Sequence, residues 1–275
     1  MKKIKLQDIR KQDYRYREAI KTLCANVQFA GKDIRSILLT SCFPNEGKSD
    51  IAFSLSQELG SIGKKTLLLD ADIRNSAFMS RFQVNQKVLG LSELLSGQAS
   101  FQDVIFKTNY PGLNMIFAGR TAPNSSGLLA SETFKELVSE LRNYYDYVII
   151  DSPPIATIID AAVIAENVDG AIMIIESEAV SYKTAQKAMA QLQVTGCQVI
   201  GGVLNKVDPH KGEQYYRRYG YYYKYGRYGG YGGYGAYGKE DKAEDDAEED
   251  VDDDADDDFI EETILPKTSK DERRG

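Results

Sequence analysis

Short aliphatic runs recur along the chain, and they are continuous rather than alternating. SILLTS (36–41), TLLLD (66–70), YVIID (147–151), AIMII (171–175) and VIGGVL (199–204) each read as a strand. A strand that is apolar at every position is covered on both faces. Leu113–Phe117 reads as a further strand, and LSELL (91–95) as a short helix. Helices fit over 17–30, 48–59, 131–144, 160–167 and 181–193, with Ser131 placed to cap the third of these. This alternation predicts an α/β fold with a doubly wound, mostly parallel sheet. In such folds ligands sit beyond the carboxyl ends of the strands. The loops 41–48, 70–75 and 151–154 each come directly after a strand and are expected to meet at that edge.

Composition separates this region from the C-terminal sixty residues. The chain has 275 residues, which suggests one domain with a tail. Residues 215–237 are almost only tyrosine, glycine and basic side chains; residues 240–262 are almost only acid. The overall net charge of −7 arises in the acidic tail and says little about the folded part. Three well-separated cysteines (Cys24, Cys42 and Cys197) without a CxxC pair argue against a disulfide framework or a zinc site. The single histidine, His210, makes no metal cluster. No apolar run reaches the roughly 18–20 residues of a membrane span, and the basic N-terminus lacks the apolar core of a signal peptide. A cytoplasmic protein is expected.

The stretch SCFPNEGKSD (41–50) ends a strand and opens a helix. Backbone N–H groups of such a turn can cradle phosphates, and the helix N-terminus adds partial positive charge. In that geometry Lys48 reaches the β- and γ-phosphates and the Ser49 hydroxyl holds Mg²⁺. Pro44, Asn45, Glu46, Gly47 and Asp50 complete the nucleotide-binding stretch. Two places depart from the glycine-rich pattern: Cys42 stands five residues before Gly47, and Asn45 where a second glycine is expected. LLLDADIR ends a strand with Asp70 and Asp72, and carries Arg74 beside them; VIIDSPP ends another strand with Asp151. Mg²⁺ and phosphoryl transfer require hard oxygen ligands near the loop. Each acid alone has a plainer reading, as a turn residue, a surface ion pair or a helix cap. Three strand-end acids together with the loop predict a nucleotide site with Mg²⁺.

SCFPNEGKS, LLLDADIR and VIIDSPP resemble the Walker A, A′ and B motifs of the bacterial tyrosine kinases (BY-kinases) of capsular and exopolysaccharide synthesis, in their CpsD-type soluble form. The resemblance runs from about residue 15 to residue 207, and EAIKTLCANVQFA resembles the family's N-terminal helix. It implies a P-loop fold and an ATP-dependent protein tyrosine kinase, with ATP and Mg²⁺ as the cofactors. Lys48 and Ser49 would bind phosphate and metal; Asp70 and Asp72 would lie near the metal and the incoming hydroxyl, one of them accepting its proton. Asp151 would orient the metal through water, Arg74 would stabilise phosphate charge, and Asn205 would contact adenine. The resemblance also implies a membrane adaptor of the chain-length-determinant type, which would hold the protein at the inner face of the cell membrane. It implies a homo-oligomer and a cognate tyrosine phosphatase as further partners, and no nucleic acid. Where the family's subunit contact carries Glu, Arg and Arg, this chain reads Glu18, Lys21 and Cys24.

The expected division is therefore 1–35, an N-terminal helix and oligomer contact; 36–214, the kinase domain; 215–239, a tyrosine-rich tail; and 240–275, an acidic tail. Eleven of the eighteen tyrosines lie in the third part: Tyr215, Tyr216, Tyr219, Tyr221, Tyr222, Tyr223, Tyr225, Tyr228, Tyr231, Tyr234 and Tyr237. Rich in glycine and lacking apolar periodicity, this stretch is expected to be disordered. Placed after a BY-kinase-like domain, it reads as the phosphoacceptor, and each phosphate would add about −1.5 to −2 charges. Its plainer reading is a low-complexity segment that binds by stacking. Two rival functions remain open from the sequence. One is a ParA/MinD-type positioning ATPase, whose signature lysine would fall at Phe43; the other is a nucleotide-binding pseudokinase scaffold.

Overall fold

The computed structural model describes residues 2–8, 13–84 and 86–208. His210, the eleven tyrosines of 215–237 and the acidic stretch 240–275 lie outside the described residues, together with the expectations attached to them.

The chain begins with β1 (Lys2–Lys3), α1 (Tyr14–Phe29), β2 (Ser36–Ser41), α2 (Lys48–Ser61) and β3 (Thr66–Asp70). It continues through α3 (Phe78–Arg81), α4 (Leu91–Leu95), α5 (Phe101–Val104), β4 (Ile105–Lys107), β5 (Leu113–Ile116) and α6 (Ser125–Leu129). Next come α7 (Glu132–Tyr144), β6 (Tyr147–Asp151), α8 (Asp160–Ala165), β7 (Gly170–Glu176), α9 (Tyr182–Val194) and β8 (Gln198–Asn205). The strands form one sheet in the order β1-β4-β5-β3-β6-β2-β7-β8. All pairings are parallel except that of β4 with β5.

The continuous apolar runs are explained by two cores, one on each side of the sheet. Successive strand residues point to opposite faces. Thus Leu38, Leu67, Leu69, Val148, Ile150 and Met173 enter one core, where α4, α7, α8 and α9 supply Leu91, Phe134, Leu137, Ile164 and Leu192. Ile37, Leu39, Leu68, Ile149, Ile172 and Ile174 enter the other, where α1, α2 and α3 supply Ile20, Val27, Phe53, Leu55 and Phe78. Helix N-termini are fixed by side chains: Asp13 accepts the Tyr16 N–H at 2.7 Å, and Ser131 accepts the Phe134 N–H at 3.3 Å.

Three features exceed the sequence-based expectation. Lys2–Lys3 pair with β4 at the sheet edge, and Ile4 and Leu6 just after them are buried. The stretch 76–112 contains α3, α5 and β4 in addition to the short helix at 91–95. Each of these is three or four residues long, too short for a period to show. A further helix, α6, precedes α7.

α2 packs so closely on the β4–β5 side that a Cβ at Gly60 would stand 2.4 Å from the Pro111 carbonyl oxygen. Alanine is the better helix former by about 1 kcal/mol, but the backbone carbonyl cannot swing aside. Gly60→Ala is therefore expected to lower the melting temperature, whereas propensity alone would raise it.

Candidate active site

The carboxyl ends of β2, β3 and β6, central in the sheet, bring the three predicted loops together. Asp70 and Asp151 are register partners on β3 and β6, and the Ala71 N–H donates to the Asp151 carbonyl at 2.8 Å. After β2 the chain enters the turn 42–47 and emerges as α2. Gly47 occupies the N-cap position at φ 91°, where a Cβ would lie 2.2 Å from Asn205 Nδ2. Glycine meets both demands. Asn45 also adopts a positive φ, 69°; asparagine tolerates this left-handed conformation better than most residues. The missing second glycine is thus replaced by a residue that reaches the same backbone conformation.

Lys48, the first residue of α2, directs its ammonium to Asp72, with Nζ 3.8 Å from Oδ2. The other Asp72 oxygen accepts the Asn75 N–H at 3.0 Å and sets the turn after β3. Asp70 is fully buried; one oxygen accepts from the Ser76 hydroxyl and, at 3.3 Å, from the Ala118 N–H. Its Oδ1 has no hydrogen-bond partner, and neither does Oδ1 of buried Asp151. Buried polar atoms left without partners are uncommon, and here two of them lie on neighbouring strand ends beside the phosphate loop. Burial and the adjacent Asp151 push the Asp70 carboxyl well above the usual range, against the opposing effect of Ser76. Burial lifts Asp151 to about 6, while Lys48 and the Ser49 hydroxyl draw it partway back.

This donor set suits a hard divalent cation: a serine hydroxyl and two carboxylate oxygens without protein partners. Among the described residues no group of three or more His, Cys, Asp or Glu side chains forms a metal cage. A magnesium ion held with a nucleotide takes one or two carboxylates and completes its shell with phosphate oxygens and water. Ser49, Asp70 and Asp151 could hold such an ion, with Asp72 paired to Lys48 beside them.

The remaining candidates have definite partners. Arg74 is paired with fully buried Asp160, Nε to Oδ2 at 2.8 Å, and also reaches the Ser126 hydroxyl at 3.1 Å. Burial would raise the Asp160 carboxyl, but Arg74 and the hydroxyls of Ser126 and Ser125 hold it below its usual value. Asp160 therefore orients Arg74. Asp50 turns along α2 to Arg81, at 2.8 Å. Pro44 comes after Phe43, which is partly exposed. Asn205 donates its amide N–H to the Glu46 carbonyl at 2.8 Å. Arg81 is a site neighbour that the sequence did not reveal. Its guanidinium is almost fully buried over the rings of Phe53 and Phe82, pairs with Asp8 and Asp50, and donates to the Ser49 carbonyl. No local motif marks it, because its partners are far away in sequence.

Fold and site together define a P-loop nucleotide-binding protein with paired strand-end carboxylates. A domain family described as "AAA domain" matches residues 45–197. The chain is 38% identical over 204 residues to the tyrosine-protein kinase CpsD of Streptococcus pneumoniae serotype 4, a match covering 74% of this chain and 88% of that one. The crystal structure of the chimerical protein CapA2B2 superposes with a TM-score of 0.66 at 32% identity, over 69% of this chain and 84% of that chain. The kinase domain of the Escherichia coli tyrosine kinase ETK gives 0.65 at 26% identity, over 70% and 78%. The septum site-determining protein MinD of Pyrococcus horikoshii, at 22% identity over 66% of this chain and 76% of that chain, with a TM-score of 0.56, shares the fold. The chain belongs to the CpsD-type family of bacterial tyrosine-protein kinases.

The Asp151 shift has a stability consequence. A carboxyl whose pKa is raised on folding contributes most below its unfolded value of 3.8, and that contribution is lost as pH rises through about 6. The loss is on the order of 3 kcal/mol. In EDTA, Asp151→Asn is therefore expected to melt higher than the native protein at pH 7 to 8, to keep part of this advantage near pH 5 and to lose it near pH 4. Added Mg²⁺ and ATP should raise the melting temperature of the native protein only.

Proposed function

We propose that the protein transfers the γ-phosphoryl group of Mg²⁺-bound ATP to tyrosine hydroxyls in residues 215–237 of another copy of itself. The observation that supports this most is the pair of partnerless carboxylate oxygens, on Asp70 and Asp151, beside Lys48 at the start of α2. The loop N–H groups and the N-terminus of α2 bind the triphosphate. Lys48 lies against its β- and γ-phosphates. Ser49, Asp70 and Asp151 would hold the cation, which would neutralise charge on the transferring group when bound. Asp70 or Asp72 takes the proton from the incoming tyrosine hydroxyl. Arg74, held in place by Asp160, faces phosphate charge. Asn205, with its amide nitrogen engaged by the loop, offers its carbonyl oxygen to the adenine amino group. Such a site works chiefly by positioning and charge stabilisation.

Membership of the family supplies the wider setting. A membrane adaptor of the chain-length-determinant type recruits the chain to the inner face of the membrane; no helix among the described residues is long and apolar enough to cross one. A phosphatase resets the tyrosines, and the cycle regulates capsular or exopolysaccharide polymerisation and export. With several phosphates added, the tyrosine tract changes from basic to acidic, which separates neighbouring copies.

Incubation with Mg²⁺, ATP and a cytoplasmic adaptor fragment is expected to place phosphotyrosine within 215–237, read by phosphopeptide mass spectrometry. Lys48→Met should reduce that signal at least about 100-fold, the scale for loss of one preorganised charge-stabilising group. Nucleotide binding without phosphotyrosine in the native chain would instead identify a scaffold.

A further inference from the structure

The phosphate loop lacks two of the glycines that give such loops their shape, and something else must hold it. Glu46 is an acid within a turn that is to receive a triphosphate, an unfavourable place for a negative charge unless its side chain faces elsewhere. It does face elsewhere: Glu46 is 2% exposed. One carboxylate oxygen accepts the Phe43 N–H at 2.9 Å across the turn; the other lies 3.4 Å from the Glu176 nitrogen at the end of β7. The Glu46 carbonyl in turn accepts the Asn205 amide at 2.8 Å. One residue further along, Lys206 Nζ donates to the Asn45 carbonyl at 2.7 Å and pairs with the Glu176 carboxylate at 2.8 Å. The ends of β7 and β8 thus grip the turn at two consecutive residues, Asn45 and Glu46. The first of these, Asn45, is the one at φ 69° where glycine is missing.

We propose that Glu46, Asn205 and Lys206 are positioning residues for nucleotide binding: they brace the loop in its anion-binding shape, doing from outside the turn what glycine does within it. This role rests on the loop being the nucleotide site and does not depend on tyrosine as the acceptor. Glu46 serves as the internal strut. Asn205 fills the space left open by Gly47, where any Cβ would collide with it. Lys206 fixes the strained Asn45 peptide while Glu176 fixes Lys206.

The brace has an effect that ordinary structural support does not. If Lys206 matters because it holds Asn45 left-handed, its loss should matter less once residue 45 adopts that conformation freely. Binding of Mg²⁺-bound mant-ADP to the full chain is titrated by fluorescence for Lys206→Met, Asn45→Gly and the double variant, with melting temperatures measured alongside. Lys206→Met is expected to weaken binding about fivefold or more, the scale of one lost charge-assisted hydrogen bond, and Lys206→Arg should largely restore it. In the Asn45→Gly background the same substitution should cost less than about twofold, because glycine reaches positive φ without help. Equal losses in both backgrounds, or no loss in the native one, overturn the brace. So does a native chain that fails to bind the probe. The same samples given ATP and the cytoplasmic adaptor fragment report phosphotyrosine: a native chain that binds mant-ADP but forms none overturns the kinase reading and leaves the brace intact.

Discussion

Two carboxyl groups that cannot comfortably share a dry space are held side by side at the centre of the sheet. The parallel register of β3 and β6 pairs Asp70 with Asp151, and burial removes the water that would screen them. Burial shifts both carboxyl groups upward, and the neighbouring Asp151 adds to the shift of Asp70. The surrounding residues make the arrangement tolerable. Ser76 and the Ala118 N–H satisfy one oxygen of Asp70, and Lys48 supplies positive charge. One oxygen on each acid stays without a hydrogen-bond partner. Strain of this kind, stored at a functional site, is held there by the rest of the fold.

That fold is well suited to the task. Both faces of the central strands are packed with aliphatic and aromatic side chains, so β3 and β6 cannot slide past one another to separate the acids. A slip of one residue would send every apolar side chain to the opposite core. The phosphate loop is secured differently, by polar contacts from the ends of β7 and β8.

Much of this was legible in the sequence, for identifiable reasons. Continuous apolar runs such as SILLTS and YVIID announce strands covered on both faces, and the loops after them carry the chemistry. The alignment of Asp70, Asp72 and Asp151 at one edge is a result of parallel strands ending together. Much of the remainder lies in long-range pairing. The two-residue strand at Lys2–Lys3 has no apolar signal and exists because β4 offers it an edge. Asp50, counted with the nucleotide-binding stretch, is turned aside by Arg81, far along the chain. Asp160 shows no role until its buried carboxylate is seen to hold Arg74. Glu46 looks like a liability in a phosphate loop until its side chain is found folded beneath the turn.

Arg81 acts as a junction between distant parts of the chain. A guanidinium shielded from water between Phe53 and Phe82 depends on the acids that reach it, and one of these, Asp8, belongs to the short segment that closes the sheet edge. Removing one member of a buried charge cluster costs far more than the surface location of its backbone suggests. Asp8 therefore serves as a counterweight for the helix that bears Ser49. Trimming the segment that carries it would disturb that helix from the far end of the sequence.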